Sequence, residues 1–202
     1  MSTHPLSGRA RFFAAVIAIT AGLALAAQPT LGEGSYLENA AAVLRFFTIW
    51  SNVAACIVMT LAALGKPAGR GIMAALATAL TVVCVVYWAL LSGEHHPVGF
   101  DRVTNQSHHT FVPLATIAWW FAYAPRAERI APLLPAVMVP PLAYGVFALI
   151  LGQLTGFYAY FFLDQPALGW GQFGLNNALL TVFFAGLGAL LIALHRRFGA
   201  TR

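Results

Sequence analysis

Six long apolar segments divide the chain, and the charges between them alternate in sign. Nine of the eleven Lys and Arg residues lie on one side of this pattern, and five of the six acids lie on the other. Basic residues are retained in the cytoplasm during membrane insertion. The alternation therefore predicts six transmembrane helices with both termini inside (N-in/C-in). The nine bases are Arg9, Arg11, Lys66, Arg70, Arg126, Arg129, Arg196, Arg197 and Arg202.

The composition supports an all-α, polytopic membrane protein. Of its 202 residues, 60% are hydrophobic and 8% are charged, whereas soluble domains carry about 25% charged residues. We expect a single integral membrane domain over residues 1–202. The net charge of +5 is spread over the ends of segments rather than gathered in a patch, so no nucleic-acid partner is expected. Cys56 and Cys84 fall within segments and predict packing residues, not a disulfide.

Prolines, glycines and charges mark the ends of the spans. The expected length of each span is about 20 apolar residues, since that is what a helix needs to cross a bilayer core. The first segment, which follows Arg9 and Arg11, also fits a cleavable secretory signal. We favour a retained helix, and cleavage would leave the later orientation unchanged. Trp119 and Trp120 are interpreted as an aromatic belt at the inner interface. The predicted spans are about 12–27, 45–64, 71–91, 105–124, 131–154 and 177–194.

The fourth apolar segment is too short to cross a bilayer by itself. Extending it to full length places His109 at the same depth as Thr48. The fifteen apolar residues from Thr110 to Ala124 rise about 22 Å as a helix, short of a roughly 30 Å core. A full span ending at Ala124 begins near Asn105, which puts His109 one turn inside. Counted back about 20 residues from Leu64, the second span puts Thr48 at a similar depth. Both residues then lie about 5 Å beneath the outer boundary.

A hydroxyl facing an imidazole has a clear chemical use. The histidine removes the hydroxyl proton as the oxygen attacks a carbonyl, which gives an acyl intermediate. Lipid ester carbonyls lie at this depth. The ordinary alternative is that Thr48 donates to the carbonyl one turn back, as most membrane threonines do. Ser51 and Asn52, one turn later, fit helix packing, or an alternative nucleophile and an oxyanion donor.

Metal binding is the other possibility weighed here. Outer-side donors include His95, His96, His108 and His109, but neither pair has the i, i+4 spacing of a zincin motif, and adjacent histidines point apart. We therefore expect no metal site.

Three stretches resemble known membrane proteins. Arg45–Asn52 resembles the F-T-x-x-S-N opening of the second span in bacterial six-span proteins of the Pr-six-Pr group. Asn105-x-x-x-His109-Thr110-x-Val112 is similar to the N-x-x-x-H-T-x-V stretch of the related androgen-induced protein family. Residues 155–164 are similar to that family's T-G-x-x-x-Y-x-F-L-[D/E] segment. The three matches come in the family's order and spacing.

The resemblance implies a threonine hydrolase of fatty acid esters of hydroxy fatty acids, with Thr48 as nucleophile and His109 as catalytic base. We therefore expect a bacterial inner-membrane hydrolase of lipid (fatty acyl) esters, with its catalytic face outside. Asn52 or Asn105 is expected to stabilise the oxyanion, and Asp164 to orient His109. Membrane lipids are the expected partners, and no cofactor is required. The alternative is a non-enzymatic lipid-binding or transport protein using the same outer cavity.

Overall fold

The computed structural model describes residues 6–200, which form helices, turns and loops with no strand among them. Short π-helical segments at Tyr87–Leu91 and Ser107–Phe111 continue two of the helices. In this part of the chain the α-helices are Gly8–Ala27 (α1), Tyr36–Val43 (α2), Phe47–Ala63 (α3), Arg70–Val86 (α4), Asp101–Gln106 (α5), Val112–Tyr123 (α6), Leu134–Thr155 (α7) and Gln165–Phe198 (α8). The prediction of an all-helical protein is confirmed.

Four of these helical stretches are long and apolar enough to cross a membrane: Gly8–Leu31, Arg70–Leu91, Ala131–Thr155 and Gln165–Phe198. The α2–α3 pair passes the same test only when its two parts are taken together across a 99° bend, which gives up to five. A further helical run is continuous from α5 through the second π segment into α6. The chain is therefore compatible with a multi-pass membrane protein.

The last helix is longer than the predicted span of 177–194. It begins at Gln165 and contains one non-helical residue, Gly169, with φ +71° and ψ 162°. Glycine adopts this conformation without the steric penalty that a Cβ would bring. Polar residues such as Gln172 and Asn176 interrupt the hydrophobic pattern, so the sequence alone placed the start of the helix too late.

The centre of the bundle is α4, which carries no charge after Arg70. Ten of its residues are buried, and it packs against α3, α6, α7 and α8. A helix that is apolar on all faces is covered by neighbouring helices or by lipid. Here four neighbouring helices cover most of α4, whereas α1 packs on α3 and α6.

The two tryptophans of α6 are core residues, so the prediction of an inner aromatic belt is wrong for them. Trp119 and Trp120 are 3% and 2% exposed. The Trp119 indole donates to the carbonyl of Ala10 at 2.8 Å. The Trp120 ring stacks on the buried His195 at 4.2 Å between centroids. The sequence placed them near the end of the helix, but it did not show which side of that helix is covered by neighbouring helices.

Basic side chains tie several helix ends together at one end of the bundle. Arg11 Nε donates to the carbonyl of Ala63 at 2.8 Å, and Arg126 Nε donates to that of Gly199 at 2.7 Å. Arg70 lies 3.6 Å from Glu128 in an exposed ion pair. These contacts connect the start of α1 to the end of α3, and hold the end of α8 against the loop after α6. At the opposite end of α1, Gln28 donates to Asp101.

Helix α1 packs closely on α3 through small residues. Ala10, Ala14 and Ala21 have no exposed surface, and they face a partner that is itself rich in buried alanine. Small residues at this spacing let two helix backbones approach each other in a membrane. The short distance between α1 and α3 therefore depends on side chains that end at Cβ.

Replacing Ala14 by Leu is expected to destabilise the protein by about 1–3 kcal/mol, because the added atoms must force α1 away from α3. The measurement is the thermal midpoint of the detergent-solubilised protein. Ala26→Leu is the matched control, since Ala26 lies on the exposed side of the same helix. Equal midpoints for the two variants would contradict the packing described above.

Candidate functional site

The site is built on a break between α2 and α3. The chain turns by 99° over Leu44, Arg45 and Phe46. Backbone carbonyls at such a break need partners when they lie away from water. The Trp50 indole donates to the carbonyl of Leu44 at 2.8 Å, and the Tyr144 hydroxyl donates to that of Arg45 at 2.8 Å. Two aromatic side chains therefore stabilise the break.

The break leaves the N-terminus of α3 inside the protein. Phe47 and Thr48 are its first two residues, and within residues 6–200 no backbone carbonyl accepts from their N–H groups. Such free N–H groups and the helix dipole make a helix N-terminus a binding site for negative charge. Tyr160 lines the space beside Thr48. A negatively charged oxygen in this place would receive hydrogen bonds from the backbone.

Thr48 differs from most helical threonines of this chain. Five others donate to the carbonyl four residues back at 2.7–2.8 Å, which is the ordinary behaviour of threonine in a membrane helix: Thr60, Thr78, Thr81, Thr155 and Thr181. The corresponding carbonyl for Thr48 belongs to Leu44, beyond the break, where it already accepts from Trp50. The Thr48 hydroxyl instead lies 3.4 Å from Nε2 of His109.

The hydrogen bonds of His109 determine which of its two ring nitrogens carries the proton and which has a free lone pair toward Thr48. Its Nδ1 lies 3.1 Å from the carbonyl oxygen of Asn105. A carbonyl only accepts, so Nδ1 carries the proton and Nε2 is the acceptor in the neutral ring. The Tyr87 ring stacks on the imidazole at 3.8 Å with an interplanar angle of 17°. The imidazole is therefore held in place with its basic nitrogen toward the hydroxyl.

Both π-helical segments border this pair. Tyr87 begins the first of them, and His109 lies in the second. A π-helical turn is wider than an α-helical turn, is rare, and occurs frequently at functional sites. Here the two widened turns place the Tyr87 ring face to face with the His109 ring.

Two asparagines connect the elements around the pair. The side-chain amide of Asn52 donates to the carbonyls of Thr48 at 2.9 Å and His108 at 3.1 Å. It therefore joins α3 to the residue beside His109, and both of its N–H bonds are engaged. The Asn105 amide donates to the Tyr87 hydroxyl at 2.7 Å. Because both Asn52 donors are engaged, the backbone amides at the start of α3 are better suited than Asn52 to donate to an oxyanion.

Ser51 and Asp164 lie apart from the pair. Ser51 is buried, its hydroxyl has no partner in the described part of the chain, and it lines neither of the cavities described next. Asp164 caps α8, where its Oδ1 accepts from the amide of Ala167 at 3.2 Å. The group at hydrogen-bonding distance from His109 Nδ1 is the Asn105 carbonyl. Among residues 6–200, no cluster of three or more His, Cys, Asp or Glu side chains is arranged to hold a metal ion.

Two cavities meet at Thr48. The first has a volume of about 260 Å³ and lies between α3, α4, α7 and α8, with mostly apolar walls such as Val83, Leu149 and Phe184; we name it the acyl cavity for the role proposed for it below. The second, the vestibule, has a volume of about 390 Å³; its walls are also mostly apolar but carry more polar groups, among them His108 and His109. Thr48, Tyr87, Leu91 and Tyr160 line both. A molecule with an apolar and a polar part fits across this junction.

Three tyrosines of the site were missed by the sequence analysis: Tyr87, Tyr144 and Tyr160. Tyr87 and Tyr144 lie in otherwise apolar helices, where a tyrosine is usually a packing residue with one hydrogen bond. Tyr160 falls in one of the resembling motifs, but nothing in the sequence placed it beside Thr48. Their roles depend on contacts across 18 or more residues of chain, which periodicity does not reveal.

Comparison of the chain with protein-family models, with curated proteins and with solved structures gives no match. The functional interpretation therefore rests on the residues of the site and on the three motifs.

Replacing Asn52 by Ala is expected to cost about 1–3 kcal/mol of stability, because the carbonyls of Thr48 and His108 lose their partner away from water. Ser51→Ala is the control one residue away, and removal of a hydroxyl without a partner is expected to change stability by less than about 0.5 kcal/mol. Thermal midpoints in detergent measure both. A larger loss in Ser51→Ala than in Asn52→Ala would contradict the hydrogen bonds described here.

Proposed function

We propose that the chain is a six-helix protein of the bacterial inner membrane, with both termini in the cytoplasm and the Thr48–His109 site near the outer face. The basic contacts of Arg11, Arg70 and Arg126 at one end of the bundle support this orientation. The bent α2–α3 pair and the continuous run from α5 to α6 supply the two crossings beyond the four long helices. The packing of α1 against α3 supports a retained first helix.

The proposed activity is hydrolysis of lipid (fatty acyl) esters, with Thr48 as nucleophile and His109 as general base. One observation carries this proposal: a hydroxyl at a buried helix N-terminus faces the basic nitrogen of an oriented histidine. The 3.4 Å separation is longer than the roughly 2.6–3.2 Å of an engaged acid–base pair, and such pairs tighten when substrate binds. The motifs resembling those of threonine hydrolases support the same two residues.

The reaction proceeds in two halves. His109 Nε2 accepts the Thr48 proton as Oγ1 bonds to the ester carbon, and the carbonyl oxygen becomes an oxyanion that accepts from the N–H groups of Phe47 and Thr48. The ester C–O bond then breaks, and the leaving alcohol takes the proton from Nε2. Water attacks the acyl-threonine with His109 again as base, and the fatty acid leaves as Thr48 recovers its proton. The chemistry needs no cofactor.

The substrate enters from the bilayer. The acyl cavity reaches the lipid-facing surface between α7 and α8, where the lining residues Leu142 and Val146 are 54% and 61% exposed. On α4 its walls run from Val82 to Leu91, a rise of about 13 Å. An acyl chain therefore slides sideways from the membrane into the cavity and presents its ester to Thr48.

A fluorophosphonate probe tests the nucleophile. We expect labelling of the detergent-folded wild type, no labelling of Thr48→Ala, and retained labelling of Thr48→Ser and Ser51→Ala, because only position 48 presents its hydroxyl to His109. Labelling of His109→Ala is expected to be about 10²–10⁴ times slower, the usual loss on removing a general base. Intact-mass spectrometry and in-gel fluorescence give the rates.

Labelling that persists in Thr48→Ala would contradict the assignment. Labelling that vanishes in Ser51→Ala instead would assign the nucleophile to Ser51. If a folded wild type is inert to the probe but binds fatty acyl ligands, the acyl cavity serves lipid binding or transport, and the hydrolase proposal fails. Thermal midpoints of all variants confirm that the comparison is made between folded proteins.

Gly145 offers a test of the acyl cavity, whose wall it forms on α7. A Cβ there would meet Asn177 Oδ1 at 3.9 Å, an ordinary contact, so Gly145→Ala is the matched control. Gly145→Phe is expected to fill the cavity and to lower hydrolysis of hexadecanoyl esters by about tenfold or more, while acetyl esters lose little. Kinetics on the two chain lengths measure the effect. Equal losses for both chain lengths would contradict the placement of the acyl chain.

A further inference from the structure

The vestibule beside Thr48 has mostly apolar walls, and the charged side chains among them are of one sign. Two carboxylates, Glu94 and Asp101, belong to its lining, and none of the described residues that line it is Lys or Arg. The nearest arginines along the chain are engaged elsewhere. Arg45 lies over the Phe157 ring at 4.9 Å, and Arg102 Nε donates to the carbonyl of Pro97. The cavity therefore repels an anion and offers it no cationic partner.

Two buried side chains in the vestibule have unused hydrogen-bonding groups. His108 is 2% exposed, and within residues 6–200 neither of its ring nitrogens makes a hydrogen bond of normal geometry. Asn105 is 5% exposed, and its Oδ1 is likewise without a partner. Buried polar groups in folded proteins nearly always have partners, so these atoms point to a ligand. A neutral histidine offers one donor and one acceptor, and hydroxyl groups can satisfy both.

The position of the vestibule determines which part of a substrate it would hold. The acyl cavity, which would hold the acyl chain, adjoins the vestibule at Thr48. When the ester carbonyl lies at Thr48, the alcohol half must extend away from the acyl cavity into the vestibule. The walls of the vestibule therefore select the leaving group.

We propose that the natural substrate is an ester of an uncharged, hydroxyl-rich alcohol, of the monoacylglycerol type, whose polyol group binds between His108, Asn105 and Asp101. This inference rests on the proposed function, because it names the substrate class of the same site. Alcohols that carry a carboxylate or a phosphate are excluded by Glu94 and Asp101, and these include the hydroxy fatty acids that the resemblance implies as leaving groups. Hydrolysis then releases a neutral polyol toward the outer aqueous side and a fatty acid into the membrane.

The test uses binding rather than turnover, so that it remains informative if Thr48 is not a nucleophile. Two ether lipids that cannot be hydrolysed are compared on the full-length Thr48→Ala protein in a neutral detergent: 1-O-hexadecylglycerol and its 3-phosphate. Isothermal titration calorimetry gives the two affinities. The neutral ether is expected to bind at least about tenfold tighter, and Glu94→Gln combined with Asp101→Asn is expected to narrow that ratio severalfold.

His108 provides a second measurement. His108→Phe is expected to weaken binding of the neutral ether by about tenfold, because a hydrogen-bonding ring becomes apolar. His108→Gln, which keeps a donor and an acceptor, retains most of the affinity and covers the case in which the phenylalanine variant does not fold. The matched control is His96→Phe, since His96 is exposed and does not line the vestibule.

The proposal would be overturned if the 3-phosphate bound as tightly as the neutral ether or more tightly. It would also be overturned if neither ether bound. Neither result bears on the labelling of Thr48 by the fluorophosphonate probe. The leaving-group proposal and the hydrolase proposal can therefore fail independently.

Discussion

The site depends on a helix that is broken within the protein. A continuous helix through residues 36–63 would use the Phe47 and Thr48 amides in its own hydrogen bonds and would turn the Thr48 hydroxyl to a carbonyl of the preceding turn. The break at Leu44–Phe46 prevents both outcomes. It persists because Trp50 and Tyr144 donate to the two carbonyls that the break exposes. Without those hydrogen bonds, the free backbone groups would favour closure of the helix.

The other parts of the site are arranged around this helix N-terminus. The second π-helical segment brings the basic nitrogen of His109 to the freed hydroxyl, and Asn52 holds the two elements together. The acyl cavity and the vestibule meet at Thr48, so the proposed ester could place its acyl chain in one cavity and its alcohol group in the other. Every part of the proposed catalytic arrangement therefore depends on one interruption in one helix.

The sequence predicted where the helices lie along the chain more reliably than which helices pack against one another. Spans two to five agree with the helical stretches to within a few residues, because prolines, glycines and charges stand at their ends. Trp119 and Trp120 show the limit, since they were expected at an exposed interface and are buried in the core. Thr48 and His109 were paired by depth alone, which needs only a helix rise. Tyr87 and Tyr160 could not be found this way, because their contacts to the pair depend on helix rotation and on the path of a loop.

The sequence by itself determined an all-helical chain with long apolar helices, and it put a threonine and a histidine at one depth. These properties follow from local composition and from the fixed rise of a helix. Only the tertiary structure decided that α3 begins at Phe47, that His109 presents Nε2 rather than Nδ1 to Thr48, and that the two cavities share a wall. Those features depend on partners distant along the chain, such as Tyr144 for Arg45, and no local pattern encodes such pairings.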